Sequence, residues 1–243
     1  MRDTAPMRIL AIQNDETDPP HLAARWLQEQ GHEIQILRAF DGEAVPTTVP
    51  KGIDALMPMG GHMGALDDHI AAWLPNERAM LADAAARDIP IFAICLGAQL
   101  VAAALGGEVS RAQTPEIGVY EITSTGITDP VFELTGAAPV TQWHEDIVTR
   151  LPDGAVTLAS SPLCANQIYR FGSKSYAVQF HPEVDAAMVR SWEDHADNAF
   201  QTSGKSGIES EFLAAEDRLY ATWKPTIQRW GALIASNDIE GAK

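Results

Sequence analysis

The chain has 243 residues, 46% of them hydrophobic, enough to bury the core of one large α/β domain or two small ones. With 33 acidic against 17 basic side chains and a formal net charge of -16, it is a poor partner for nucleic acid or an anionic membrane, and no apolar run approaches the roughly 18 residues of a membrane span. Its two cysteines, Cys95 and Cys164, have no metal-type spacing, and the polar opening Met1 to Pro6 lacks the apolar core of a secretory leader, so a cytoplasmic protein is expected.

Met7 to Ile12 predicts a first strand, followed by Gln13-Asn14-Asp15 as a turn. Asp18-Pro19-Pro20 opens a helix running through Trp26 and Leu27 to Gly31, with Asp18 as its cap. Strands follow at Ile34 to Leu37 and Ile53 to Met59, the second entering Gly60-Gly61-His62-Met63-Gly64. An alanine-rich helix over Asn76 to Arg87 leads to the apolar strand Ile91 to Ile94, then to a helix over Leu96 to Leu105 that Gly106-Gly107 stops. This alternation predicts an α/β fold with a mostly parallel central sheet flanked by helices, whose ligand edge lies at the strand C-termini.

From Glu108 onward the pattern changes. Short strands around Val119 to Ile122, Ala155 to Ala159, Asn166 to Arg170 and Tyr176 to Phe180, with hairpin turns such as Phe171-Gly172-Ser173, predict an additional small antiparallel portion. Helices are expected over Ala186 to Phe200, Glu209 to Trp223 and Thr226 to Ser236. Between the first two, Ser203 to Gly207 reads as a surface loop, with neither the glycine spacing nor the preceding strand of a P-loop. One domain is expected, with a core over about 7–189 and a helical extension over about 190–243.

Cys95 sits where an apolar strand turns into a helix. Such a turn lifts a side chain above the sheet, and a helix N-terminus lowers a thiol pKa, so the position suits a nucleophile; on this segment alone a buried packing cysteine is the competing reading. The second chemical feature is Gln179-Phe180-His181-Pro182-Glu183, an apolar strand ending in a histidine and a carboxylate two residues apart. In extended chain these face one way, which suits a base for the thiol and an orienter for the base, whereas without a nearby cysteine the segment would read as a surface turn. An acyl-transfer nucleophile also needs oxyanion donors. The backbone N–H of Leu96 and one from Gly60-Gly61, where no Cβ obstructs a substrate, are available by position, although Gly60-Gly61 alone reads as a plain turn.

Cys95-Leu96-Gly97-Ala98-Gln99, preceded by Gly60-Gly61 and followed by His181-Pro182-Glu183, resembles a class I (triad-type) glutamine amidotransferase from about Met7 to Val189. Gln13-Asn14-Asp15, Pro58-Met59-Gly60-Gly61, Glu116-Ile117-Gly118 and Gln142-Trp143-His144-Glu145-Asp146 resemble the amidotransferase domain related to GMP synthase. The resemblance implies a flavodoxin-like amidotransferase fold. It also implies that Cys95 attacks the side-chain amide of glutamine, that ammonia leaves, and that water hydrolyses a γ-glutamyl thioester with His181 as acid and base and Glu183 orienting it. Gly61 and Leu96 resemble the oxyanion donors, Gly60 and Gln99 belong with the substrate-binding residues, and Trp143, His144 and Glu145 resemble a loop lining the substrate's amino-acid end. Two positions depart from the family pattern: His62 stands where a proline is frequent, and Glu145 where a glycine is common. Glu145 can contact the substrate's α-ammonium, alter which γ-glutamyl group fits, or face solvent, and solvent is the expectation taken.

Glutamine or another γ-glutamyl compound is thus the expected partner. A complete GMP synthase would need an ATP-pyrophosphatase and a dimerisation domain, and 243 residues leave no room for them. Either a separate synthetase subunit receives the ammonia, or the chain is a stand-alone γ-glutamyl hydrolase with no acceptor; a catalytically idle regulatory homologue is the third reading. No metal or organic cofactor is expected. His62, Asp67, Asp68 and His69 read as a solvated loop, and Cys164 as a packing residue. Trp192, Trp223 and Trp230 are expected to fill a helix–sheet or subunit interface, which leaves room for a homodimer.

Overall fold

A computed structural model describes residues 6–195 and 203–236 of the chain. The apolar segments of its first half form four strands that line up in parallel: β1 (Arg8–Gln13), β2 (Glu33–Arg38), β3 (Ala55–Pro58) and β4 (Phe92–Ile94). The order β2-β1-β3 is continued through a parallel bridge between Leu56 and Ile91 to β4, and β4 pairs in parallel with β9 (Ser175–Val178). Beyond β9 the pairing turns antiparallel through β8 (Ile168–Phe171), β7 (Val156–Ser160), β5 (Glu108–Ser124) and β6 (Ala137–Arg150).

Alternation along the parallel strands feeds two cores. Ile9, Ala11, Met57, Phe92 and Ile94 face one side, where α1 (His21–Gln28), α4 (Ala186–Asp194) and α5 (Ile208–Ala235) lie. Leu10, Ile12, Leu56, Ile91 and Ala93 face the other, covered by α2 (Leu74–Ala86) and α3 (Leu96–Ala104). Strands buried on both faces explain why these segments read as continuous apolar runs.

Three expectations need correction. The segment Trp143 to Asp146 is the middle of the 14-residue strand β6, not a loop. Its polar residues hid the strand, because several of them face a cavity rather than the core. The two helices expected around Pro225 are one 28-residue helix. Proline removes one backbone bond and costs roughly 3 kcal/mol. Nevertheless Phe212, Leu219, Trp223, Ile227, Trp230 and Ile234 form one buried stripe on both sides of it. Trp223 donates to the Pro139 carbonyl at 2.7 Å and Trp230 to the Lys174 carbonyl at 3.0 Å, which anchors both halves. Finally, Asp18 does not cap α1. Pro20 occupies that position without a side-chain cap, and Asp18 turns elsewhere.

The helix from Ala186 is described as far as Asp194; the rest of its expected length, to Phe200, falls largely outside the described residues. No helix of the described residues is long and apolar enough to cross a membrane.

Candidate functional site

The C-terminal ends of β1, β3, β4 and β9 lie side by side, so the residues that follow each strand meet along one sheet edge. That edge opens into a cavity of about 430 Å³. Residues from all four contribute to its wall: Asp15, Thr17 and Asp18 after β1, Gly61 and His62 after β3, Cys95 after β4, and His181 after β9. Crevices outside the carboxyl ends of parallel strands are the usual ligand site of such sheets.

Cys95 takes φ 51° and ψ -108°, a positive-φ conformation that an L-residue rarely adopts. Its N–H donates to the Val178 carbonyl at 2.8 Å, which fixes the end of β4 to β9, and α3 begins at the next residue. Gly97 permits this turn: a Cβ there would collide with the carbonyl oxygen of Pro58, and the Gly97 N–H instead donates to Met59 O at 3.1 Å. The strained residue is therefore held by β3 on one side and β9 on the other. Cys95 is 4% exposed, yet it still lines the cavity.

His181 and Glu183 meet at this site. The Nδ1 of His181 lies 2.8 Å from Glu183 Oε1, an arrangement in which Nδ1–H donates to the carboxylate oxygen. The Cys95 side chain lies beside the imidazole, close enough to act on its charge. Burial works against a charged imidazole here, but the adjacent Cys95 and the Glu183 carboxylate outweigh it and hold the His181 pKa well above its ordinary value. The His181 N–H donates to the Thr141 carbonyl at 2.9 Å, tying this segment to β6.

The other sequence-predicted residues surround this group. Gly61 lines the cavity, and a Cβ on it would come within 3.0 Å of Leu96 Cδ2, so the two positions are neighbours. Gly60 packs against the imidazole, where a Cβ would approach His181 Cε1 to 2.9 Å. Gln99 donates to the Asp146 carbonyl at 2.9 Å and to Gln179 at 3.4 Å, and Gln179 in turn donates to the Cys95 sulfur at 3.8 Å. Trp143, His144 and Glu145 line the wall formed by β6. His144 is buried with Nε2 3.4 Å from Glu116 but without a hydrogen bond to it, and the Glu116 carboxylate accepts from Ser161 and Gln167. Glu145 is ion-paired with Arg111 rather than simply solvated, which corrects the expectation for that residue.

Several wall residues were not foreseen. Trp192 packs in the core between its helix and the sheet, as expected, and also reaches the cavity; its indole lies 5.4 Å from Trp143, and Nε1–H donates to Thr17 O at 3.2 Å. Asp18 is buried with Oδ1 unpartnered among the described residues, and burial pushes its pKa up to about 7. His62, in the proline position, is paired with Asp15. Burial disfavours the Asp15 charge, yet the Thr17 amide and His62 hold its pKa below the usual value. Asp67 accepts from the Gly64 amide and Asp68 pairs with Arg78. Among the described residues no three His, Cys, Asp or Glu side chains group as metal ligands. Cys164 is buried away from the cavity, and desolvation raises its thiol pKa to about 12.

The family model for class-I glutamine amidotransferases matches residues 21–189. A glutamine amidotransferase-like protein of Salmonella typhimurium, YfeJ, is 29% identical over 212 residues, covering 84% of this chain and 87% of the relative. One subunit of the glutamine-hydrolysing GMP synthase of Thermoplasma volcanium is 39% identical over 179 residues, covering 68% and 78%. Among solved structures, a glutamine amidotransferase from Methylobacillus flagellatus superposes with a TM-score of 0.85 at 25% identity, covering 98% of this chain and 100% of the other. One from Thermotoga maritima gives 0.83 at 25% identity, covering 93% and 99%.

Proposed function

Because this chain belongs to the class-I glutamine amidotransferase family, we propose that it cleaves a γ-glutamyl amide, in the simplest case glutamine to glutamate and ammonia, through Cys95, His181 and Glu183. The observation that carries this reading is the placing of Cys95 beside His181 in the cavity wall, with His181 hydrogen-bonded to the buried Glu183 and the cysteine in a strained strand-to-helix turn.

With Nδ1 committed to Glu183, the Nε2 of His181 is the nitrogen that takes the thiol proton. The thiolate attacks the γ-carbonyl carbon, and the resulting oxyanion accepts from the backbone N–H groups of Leu96 and Gly61. His181 returns the proton to the departing nitrogen, the C–N bond breaks, and a γ-glutamyl thioester remains on Cys95. A water molecule then loses a proton to His181, adds to the thioester carbonyl, and expels the thiolate as glutamate forms. The raised His181 pKa supports this sequence, since it makes the imidazole a better acceptor for the thiol proton. Gln99, Trp143, His144 and Glu145, with Gly60, shape the wall that receives the glutamyl group.

Relatives that form one subunit of GMP synthase suggest one fate for the ammonia, transfer to a separate synthetase subunit. The second reading is a stand-alone γ-glutamyl hydrolase. It is supported by the cavity itself: about 430 Å³ lies in the range that holds drug-sized ligands, room for a glutamyl group with a leaving amine larger than ammonia. The test is release of ammonia and glutamate from glutamine and γ-glutamyl amides by wild type and Cys95→Ala. Loss of all release in the variant is expected, and equal release would refute the reading.

A further inference from the structure

In amide cleavage the general acid stands beside the leaving nitrogen, so the cavity wall nearest His181 faces the leaving group, while the glutamyl α-ammonium lies three carbons away on the other side of the scissile carbonyl. Asp18 belongs to the His181 wall: a Cβ on Gly60 would meet His181 Cε1 at 2.9 Å and Asp18 Oδ2 at 3.1 Å, so imidazole and carboxylate flank the same glycine. Trp192 closes that wall, its ring 4.7 Å from His181 and its N–H fixed by Thr17, the residue before Asp18.

We propose that Asp18 and Trp192 form a leaving-group subsite for an amine that carries its own positive charge, so that the chain acts on γ-glutamyl conjugates of diamines or similar cationic amines. This rests on the γ-glutamyl hydrolysis proposed above. Asp18 is a buried carboxyl whose Oδ1 has no partner among the described residues. Such a group is costly unless a ligand satisfies it. The cavity is otherwise acidic: Asp146 lines it together with Asp15, Asp67 and Glu145, of which Asp15 is paired with His62, Asp67 accepts from the Gly64 amide and Glu145 is paired with Arg111.

Burial above all, with Asp15 and Glu183, raises the Asp18 pKa to about 7 against the opposing His181 and His62, so the carboxyl holds on to a proton far above the ordinary carboxylate range. An ammonium arriving beside it favours the carboxylate and expels that proton. Trp192, which lines the cavity together with Asp18, adds an aromatic ring suited to a cation, by the attraction between cations and aromatic rings. An uncharged leaving group such as ammonia uses none of these features. An anionic one would meet repulsion from the surrounding carboxylates. The overall charge of -16 works in the same direction, since it draws cationic ligands toward the protein.

The test compares γ-glutamyl-1,4-diaminobutane with γ-glutamylbutylamine, which differ only in a terminal ammonium. Calorimetric binding to Cys95→Ala protein should favour the diamine conjugate by at least about tenfold, a difference of roughly 1.4 kcal/mol. Its binding at pH 7 should also release protons to the buffer, and both signatures should collapse in Cys95→Ala/Asp18→Asn. Equal binding of the two conjugates, or binding of neither, overturns the proposal; a preference that survives Asp18→Asn overturns the assignment to Asp18. Turnover by the wild type separates this from the underlying reading. Hydrolysis of glutamine and both conjugates with equal kcat/KM removes the subsite but leaves the hydrolase. Tight diamine binding without any hydrolysis does the reverse. Should Asp18→Asn fail to fold, the preference in Cys95→Ala alone still decides whether the leaving-group charge is recognised.

Discussion

The indole of Trp192 meets the imidazole of His181 edge-on, with ring centroids 4.7 Å apart and planes inclined by 65°. The same indole donates to Thr17 O, so α4 braces both the β1–α1 loop and the histidine that follows β9. Two further contacts reinforce the brace: Leu22 N–H donates to the Glu183 carbonyl at 3.0 Å, and His21 pairs with Asp185 at 2.6 Å. Small misplacements of a reacting group are expensive. Trp192→Ala should therefore lower kcat about tenfold to a hundredfold, while Trp192→Phe, which keeps a ring against His181, recovers most of it. Steady-state kinetics on γ-glutamyl substrates check this; equal kcat in Trp192→Ala would remove the positioning role.

Glu183 is expected to act through the pKa of His181. The carboxylate favours the imidazolium, so Glu183→Gln should let the imidazole lose its proton at lower pH and move the alkaline limb of kcat/KM downward. By analogy with carboxylates that orient a catalytic histidine, kcat should fall roughly 10³- to 10⁴-fold. A pH–rate profile of the variant with an unmoved alkaline limb would contradict this.

Two buried carboxyl groups set an unusual pH dependence of stability. Burial raises Asp18 to about 7 and Glu77 to about 8. A group whose folded pKa exceeds its unfolded value contributes stability that is complete below the unfolded pKa and is lost as pH rises through the folded one. The protein should therefore lose stability between about pH 4 and pH 8, the window between ordinary carboxylate values and these raised ones. Glu77 accepts from Asn14, which also donates to Met59 O, just before the Gly60-Gly61 turn, and accepts from Trp73. Glu77→Gln should flatten the decline and raise Tm at pH 8 relative to wild type. Thermal melts from pH 5 to pH 8 decide it, and parallel curves for the two proteins would be the contrary result.

Two glycines near Cys95 should respond differently to a single methyl group. At Gly97 the added carbon meets the backbone carbonyl of Pro58, which cannot move without shifting β3, so Gly97→Ala should cost about 1–3 kcal/mol or more in stability. At Gly61 the two nearest neighbours are Met63 Sδ at 2.8 Å and Leu96 Cδ2 at 3.0 Å, ends of flexible side chains that can give way, with Asn14 Cβ next at 3.3 Å. Gly61→Ala should fold with nearly unchanged Tm and lose activity, by roughly tenfold to a hundredfold if a displaced oxyanion donor costs less than a deleted one. A large Tm loss at Gly61, or none at Gly97, would be the reverse of this expectation.

The legible parts of the sequence were those where one local rule acts alone. Ile91 to Ile94 followed by Cys95 and Leu96 carried a strand, a turn and a helix in consecutive residues; His181 and Glu183 do meet, but across a bend and a turn after β9 has ended at Val178 and not along the extended segment expected. The alternating first half announced the parallel sheet for the same reason. Illegible parts were those where tertiary context chose between local options. Asp18 before two prolines has the composition of a helix cap, but α1 starts at His21, leaving its carboxyl free to turn into the cavity. Gln142 to Asp146 lack the apolar alternation of a strand because their partners are β5 and the cavity wall. Pro225 hid the continuity of α5, which depends on the sheet face beneath it. Trp192 reaches the site only because α4 folds back over the β1–α1 loop, and nothing local to residue 192 announces that.

That Cys95 forms a γ-glutamyl thioester is tested most directly by mass spectrometry. Wild-type protein is mixed with glutamine or a γ-glutamyl amide, acid-quenched within the first turnovers, and peptide-mapped. A γ-glutamyl adduct is predicted on the peptide containing Cys95, absent in Cys95→Ala and removed by hydroxylamine. Release of glutamate by the wild type at full rate with no adduct at any quench time, and undiminished release by Cys95→Ala, would contradict it.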